Sequence, residues 1–168
     1  KNINTSTNIG SSKNLNQSQL NEEEKLKQSS ERIKNDLKNL HADIRKLFKT
    51  EKVELKEICD YYFDGSGKSI RPLIICNMAR ALNRHYNSLN KNDENSQSVL
   101  LPSQRQIALI AEMIHVASLV HDDIIDNSDL RRGKDSVNFK WGCHKAVLAG
   151  DYVLAIASQE LANLGSVN

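Results

Sequence analysis

The chain has 168 residues, with 23 Lys plus Arg against 21 Asp plus Glu, a formal charge of +2, and 26% charged and 39% hydrophobic residues. So even a balance excludes bulk attraction to nucleic acid or an anionic membrane surface as the basis of function. No apolar run approaches the ~18 residues that span a bilayer, so one soluble domain without a transmembrane segment is expected.

Lys1 in place of an initiating Met, and Asn168 directly after a helical pattern, read as part of a longer chain. Residues 1–20 hold only Ile3, Ile9, Leu15 and Leu20 as large apolar side chains, and the first arginine is Arg32, so no secretory or Arg-rich organellar leader is visible. This Asn/Ser/Thr-rich stretch buries too little to offset its ordering entropy and is expected to be disordered, leaving 21–168 as the helical part. Cys59, Cys76 and Cys143 lack disulfide or zinc-site spacing and read as reduced structural residues.

Leu26, Ile33, Leu37, Leu40, Ile44 and Leu47 recur at helical spacing and predict one amphipathic helix. A shorter helix over 53–63 is ended by Asp64-Gly65-Ser66-Gly67. Pro72 suits the first turn of the next helix, which carries Leu73, Ile74, Ile75, Met78, Ala79 and Leu82. The Asn/Ser-rich segment from Asn83 to Leu101 reads as a surface loop. Ser103 and Gln106 match a capping box for a long helix from about Gln104 to about Asp126. After a polar turn from Asn127 to Arg132, a last helix begins near Cys143 and stops at Gly165. No β alternation stands out, so the fold class is an all-α helical bundle.

On the long helix, His115, Ser118, Asp122 and Asp126 share one stripe at about 100° per residue. Two carboxylates one turn apart near a helix C-terminus repel each other and oppose the helix dipole, and a cation removes both penalties. Mg²⁺ fits, because it accepts one or two carboxylates and keeps sites for water and phosphate oxygens. Asp123 points about 100° away and is expected to support the ion's ligands rather than bind it. A solvated acidic helix end is the competing interpretation of such a pattern. His121 lies off the stripe and reads as structural.

Two basic clusters flank this stretch: Lys68 and Arg71 beside Gly65-Ser66-Gly67, and Arg131, Arg132 and Lys134 around Gly133. A nucleotide-binding phosphate loop is excluded, since its first glycine would fall at position 62, which is Tyr. Basic clusters beside a carboxylate pair instead suggest two phosphate groups, one held through metal and one by Lys and Arg directly.

Taken together, Gly67-Lys68-x-x-Arg71-Pro72, His115, Asp122-Asp123-x-x-Asp126, Arg131-Arg132-Gly133-Lys134, Val137-Asn138 and Ala146 to Asp151 resemble the N-terminal half of the trans-polyprenyl diphosphate synthase family. Within that family the chain is most similar to catalytic subunits of decaprenyl and solanesyl diphosphate synthases, which make the ubiquinone side chain in mitochondria. The resemblance implies that Lys68, Arg71, His115 and Arg132 bind isopentenyl diphosphate. It implies that Arg131 binds the allylic diphosphate, and that Asp122 and Asp126 bind the Mg²⁺ bridging it. It also implies a homodimer or a hetero-oligomer with a second synthase subunit. The family's second aspartate-rich motif has no counterpart after Asp151, so this chain alone is expected to be inactive. Small side chains at Ala117 and Ser118 imply, by the resemblance, products longer than the geranyl or farnesyl level, with a long-chain synthase as the reading and a geranylgeranyl-type one as the alternative. A terpene cyclase shares the aspartate motif but lacks a second phosphate substrate, and so the joint presence of Lys68, Arg71, His115 and Arg131-Arg132 argues against it. A non-catalytic partner subunit has no use for the repulsive pair Asp122 and Asp126.

Overall fold

The computed structural model describes residues 24, 27–32, 34–89 and 99–165. The expected disorder over 1–20 lies outside this range. The chain divides into a unit over residues 1–36, in which 27–32 and 34–36 are helical, and a unit over 37–168.

Elements of the second unit run α1 (Leu40–Leu47), α2 (Val53–Tyr62), α3 (Ile70–Leu89), α4 (Pro102–Ile125), β1 (Leu130–Arg131), β2 (Lys134–Asp135), α5 (Val137–Trp141) and α6 (Cys143–Leu164). The fold is all-α, and α4 is its centre, packed on α6 and on α3. Leu109, Met113, Val116, Val120 and Asp123 form one buried stripe of α4 at steps of three and four. Leu40, Ile44, Phe48, Phe63, Val153 and Ala157 close over its apolar part. A second cluster of Ile58, Val120, Val137, Ala146 and Ala149 anchors α5 and the start of α6. Burying side chains of this size contributes about 1.5–3 kcal/mol each.

Four expectations change. The single N-terminal helix is broken: residues 37–39 form a turn, with Asn39 in the left-handed region at φ 61°, before α1 begins. Leu26 and Ile33 lie outside the described residues. The loop expected from Asn83 is helical as far as Leu89, and Asn83 is held by the carbonyl of Val99 and the amide of Gln104, each at 2.8 Å. Helix α4 starts two residues early, at Pro102, and Gln104 rather than Gln106 reaches back to the Leu101 N–H at 3.0 Å. Gln106 instead donates to Glu160. Finally, the polar turn after α4 contains a hairpin, pairing Leu130 with Asp135 and Arg131 with Lys134. Its two-residue loop, Arg132-Gly133, has φ of 53° and 75°, as a tight two-residue hairpin turn of the right twist demands.

Candidate functional site

The end of α4 is shaped by a left-handed residue. Asn127, at φ 51°, lets the Ser128 N–H bond back to the Asp123 carbonyl at 2.8 Å and the Asn127 N–H to Ile124 at 3.3 Å, a Schellman closure that turns the chain toward the hairpin. Ser128 is then tied down: its carbonyl accepts from Ser136 Oγ at 2.6 Å and Asn138 Nδ2 at 3.1 Å. Ser136 and Asn138 thus fix the loop that carries the arginines.

Lys68, Arg71, His115 and Arg132 line one pocket of about 360 Å³, with Ser66, Gly67 and Glu112. Three segments supply it: the loop after α2 running into the start of α3, the middle of α4, and the hairpin tip. The Arg132 guanidinium lies over Gly67, its Nη1 2.8 Å from where a Cβ would stand. Burial, and then the charges of Arg71, Arg132 and Arg131, hold the His115 imidazole below its ordinary value against the pull of Asp122. It is therefore a neutral hydrogen-bonding group near pH 7.

Arg131 lines a smaller neighbouring cavity of about 40 Å³, which shares Ser66 and Arg132 with the first. Its Nε donates to Asp123 Oδ2 at 2.6 Å, and the Tyr62 hydroxyl donates to the same oxygen at 3.0 Å. Asp123 is only 2% exposed. A buried carboxylate costs several kcal/mol unless paired, so the pair fixes the Arg131 side chain while leaving its two amino groups to other acceptors. The hydrogen bond to Asp123 holds Arg131 above its ordinary range, and burial followed by the Asp123 charge does the same for the Tyr62 phenol.

Asp122 and Asp126 lie outside both cavities, exposed on one side of the α4 terminus, and the Asp126 N–H donates to the Asp122 carbonyl at 2.8 Å across the single turn between them. Among the described residues no three His, Cys, Asp or Glu side chains converge as a ready metal cage. Two open oxygen donors fit a cation such as Mg²⁺, which completes its shell from water and a bound anion. Ser118 lies on this open face, with its hydroxyl on the His115 carbonyl at 2.8 Å, whereas Ala117 is fully buried in the core against Val153 and Ala157. Their adjacent numbers conceal opposite surroundings.

Sequence reasoning passed over several groups here. Glu112 lines the cationic pocket while 4% exposed, and burial pushes its carboxyl up against the opposing charges of Arg132 and Arg71. His41 of α1 approaches it at 3.9 Å. The signal was available for Glu112, three residues before His115, but a single Glu in an apolar stripe has no motif around it. Lys134, counted among the basic cluster, is committed to an ion pair with Asp64. His121 packs over Gly150, where any Cβ would run into its ring, and its Nε2 lies 3.5 Å from Asp151. No described helix is long and apolar enough to cross a membrane.

A family profile described as polyprenyl synthetase matches residues 52–168. The human all trans-polyprenyl-diphosphate synthase PDSS1 is 56% identical over 131 residues, covering 78% of this chain and 30% of that protein. A probable mitochondrial hexaprenyl pyrophosphate synthase of Neurospora crassa is 37% identical over 163 residues, covering 79% of this chain and 36% of that protein. Among solved structures, a decaprenyl diphosphate synthase from Rhodobacter capsulatus superposes with a TM-score of 0.63 at 28% identity, over 80% of this chain and 38% of that one. The chain thus spans about a third of the length of these relatives. With most of its length inside the matched region and the same helical fold, this chain belongs to the polyprenyl synthetase family.

Proposed function

We propose that the full-length protein is a Mg²⁺-dependent all-trans-polyprenyl diphosphate synthase, of which this chain supplies the wall that holds both diphosphates. The observation that carries this reading is the convergence of Lys68, Arg71, His115 and Arg132 on one pocket beside the open pair Asp122 and Asp126. In this reading the pocket holds the diphosphate of isopentenyl diphosphate through charge-assisted hydrogen bonds, with neutral His115 as a donor. Asp122 and Asp126 would hold the metal, which when bound supplies positive charge to the allylic diphosphate. Arg131, fixed by Asp123, faces the charge that develops as the allylic C–O bond breaks and its electron pair leaves with pyrophosphate. The isopentenyl double bond attacks the resulting allylic cation, a new C–C bond forms, and loss of a proton restores neutrality.

The resemblance and the names of the relatives support a long-chain product for ubiquinone synthesis, a mitochondrial location, and assembly as a homodimer or with a second subunit. Ser118 on the open face leaves room for a long tail. The test is incorporation of labelled isopentenyl diphosphate into an allylic acceptor by the purified full-length protein. Incorporation should require Mg²⁺ and fall about 100-fold or more in D122N and D126N; a well-folded full-length protein without Mg²⁺-dependent incorporation rejects the reading. In the same assay S118F should shorten the product, and an unchanged product distribution rejects the long-chain assignment.

A further inference from the structure

The two loops that shape the diphosphate pocket are remote in sequence and joined only by tertiary contacts. One follows α2 and carries Ser66, Gly67 and Lys68; the other is the hairpin with Arg131 and Arg132. Three links tie the hairpin to that loop and to the end of α2 before it. The Tyr61 hydroxyl donates to the Asp135 carbonyl at 2.8 Å. The Arg132 guanidinium lies against Gly67, its Nη1 2.8 Å from where a Cβ would stand. Between these, Lys134 Nζ pairs with Asp64 Oδ2, while Asp64 Oδ1 accepts the Ser66 N–H at 2.8 Å.

We propose that Asp64 and Lys134 form a latch that fixes the loop after α2 to the hairpin, and that both are positioning residues for Lys68 and Arg132 rather than ligands of the anion. The proposal rests on the diphosphate-pocket reading above. Asp64 is well suited to the task because its two oxygens act in different directions. One shapes its own loop through the Ser66 N–H, and the other reaches the hairpin. Arg132 needs such support, because it sits at φ 53°, a conformation that a non-glycine residue holds only when its surroundings enforce it. Although burial works against ionisation, the hydrogen bonds from Lys134 and Ser66 outweigh it and bring the Asp64 carboxyl down to about 2, so the latch stays charged at physiological pH.

The sign of one substitution separates the latch from a bystander charge. A carboxylate beside a diphosphate pocket repels the anion, so removing a mere charge should tighten binding. Removing a latch should weaken it. Binding of inorganic pyrophosphate to the full-length protein, measured by titration calorimetry at fixed ionic strength, gives the answer for D64N, K134M, D64N/K134M and the charge-swapped D64K/K134D. We expect D64N to bind about fivefold more weakly despite losing a negative charge, a size in keeping with a partly exposed ion pair. The double variant should bind no more weakly than K134M, and the charge swap, in which a lysine at position 64 can no longer accept the Ser66 N–H, should recover only part of the loss. In steady state D64N should raise KM for isopentenyl diphosphate with kcat little changed. Equal or tighter pyrophosphate binding by D64N, single effects that multiply in the double variant, or no pyrophosphate binding by the unsubstituted protein overturns the latch. Turnover is read separately: if the unsubstituted protein binds pyrophosphate but does not turn over, the enzyme reading fails while the calorimetric series still decides the latch.

Discussion

Asp122 and Asp123 are neighbours of the same type with opposite fates, separated by the rotation of one residue on α4. Asp122 is exposed beside Asp126, and Asp123 ends the buried stripe of Leu109, Met113, Val116 and Val120. Its carboxylate there answers both Arg131 and Tyr62. D123N should therefore destabilise the fold by about 2 kcal/mol, less than a fully buried pair because Arg131 is part-exposed, and Y62F by about 1 kcal/mol. Since both partners share Oδ2, the double variant should lose less than the sum, and denaturant unfolding of the three proteins measures this. A D123N protein as stable as its parent would show that the ion pair merely offsets its own desolvation. Asp64 gives the pH counterpart. Its folded value of about 2 lies below the ordinary 3.8, so its contribution is complete above about pH 4 and is lost as pH falls toward 2. An acid titration of stability should show a shallower decline in D64N than in the parent across that window.

At the level of elements, α4 carries both a core and a site, and its 3.6-residue period sorts them. The His115, Ser118, Asp122, Asp126 stripe was legible in the sequence because four chemically distinctive residues fell on one face. So were the all-α class and the start of α6, since apolar spacing and a glycine break mark them. Other features depend on partners the sequence does not name. Asn39 breaks a helix whose apolar spacing continues unchanged across it, because a left-handed residue leaves no gap in a hydrophobic pattern. Asn83, His85, Tyr86, Asn87 and Ser88 are poor helix formers, yet the stretch stays helical where Asn83 meets Val99 and Gln104. The hairpin is two residues per strand, too short for alternation to register, and its turn uses Arg132 where Asn or Asp would have signalled it. The contrast between Ala117 and Ser118 gives a direct check. A117F should cost about 1–3 kcal/mol by overpacking against Val153 and Ala157, whereas S118F should melt within a degree or two of the parent. Equal losses would mean that the two positions share one environment. For product length, only the Ser118 substitution separates tail space from fold damage.

On the scale of the whole molecule, near-zero net charge coexists with local segregation, cations around the pocket and carboxylates at the end of α4. Apolar surface is segregated too. Ile70, Ile74, Met78 and Leu82 repeat every four residues along α3 and are 52–60% exposed, while Ile107 and Ile114 of α4 and Leu148 and Leu161 of α6 are exposed on their own helices. A stripe of this regularity on a helix whose other face is already packed is a second packing face, and contiguous apolar surface of that kind drives association in water. The 168-residue chain by itself should therefore associate with rising concentration in sedimentation velocity and bind a hydrophobic dye. Ile74 and Leu82 lie outside both core clusters, so I74E/L82E should suppress association and dye binding while leaving the far-ultraviolet spectrum unchanged. If the parent chain remains monomeric at high concentration, the α3 stripe is too weakly apolar to be a packing face. If association persists in I74E/L82E, the exposed faces of α4 and α6 drive it instead.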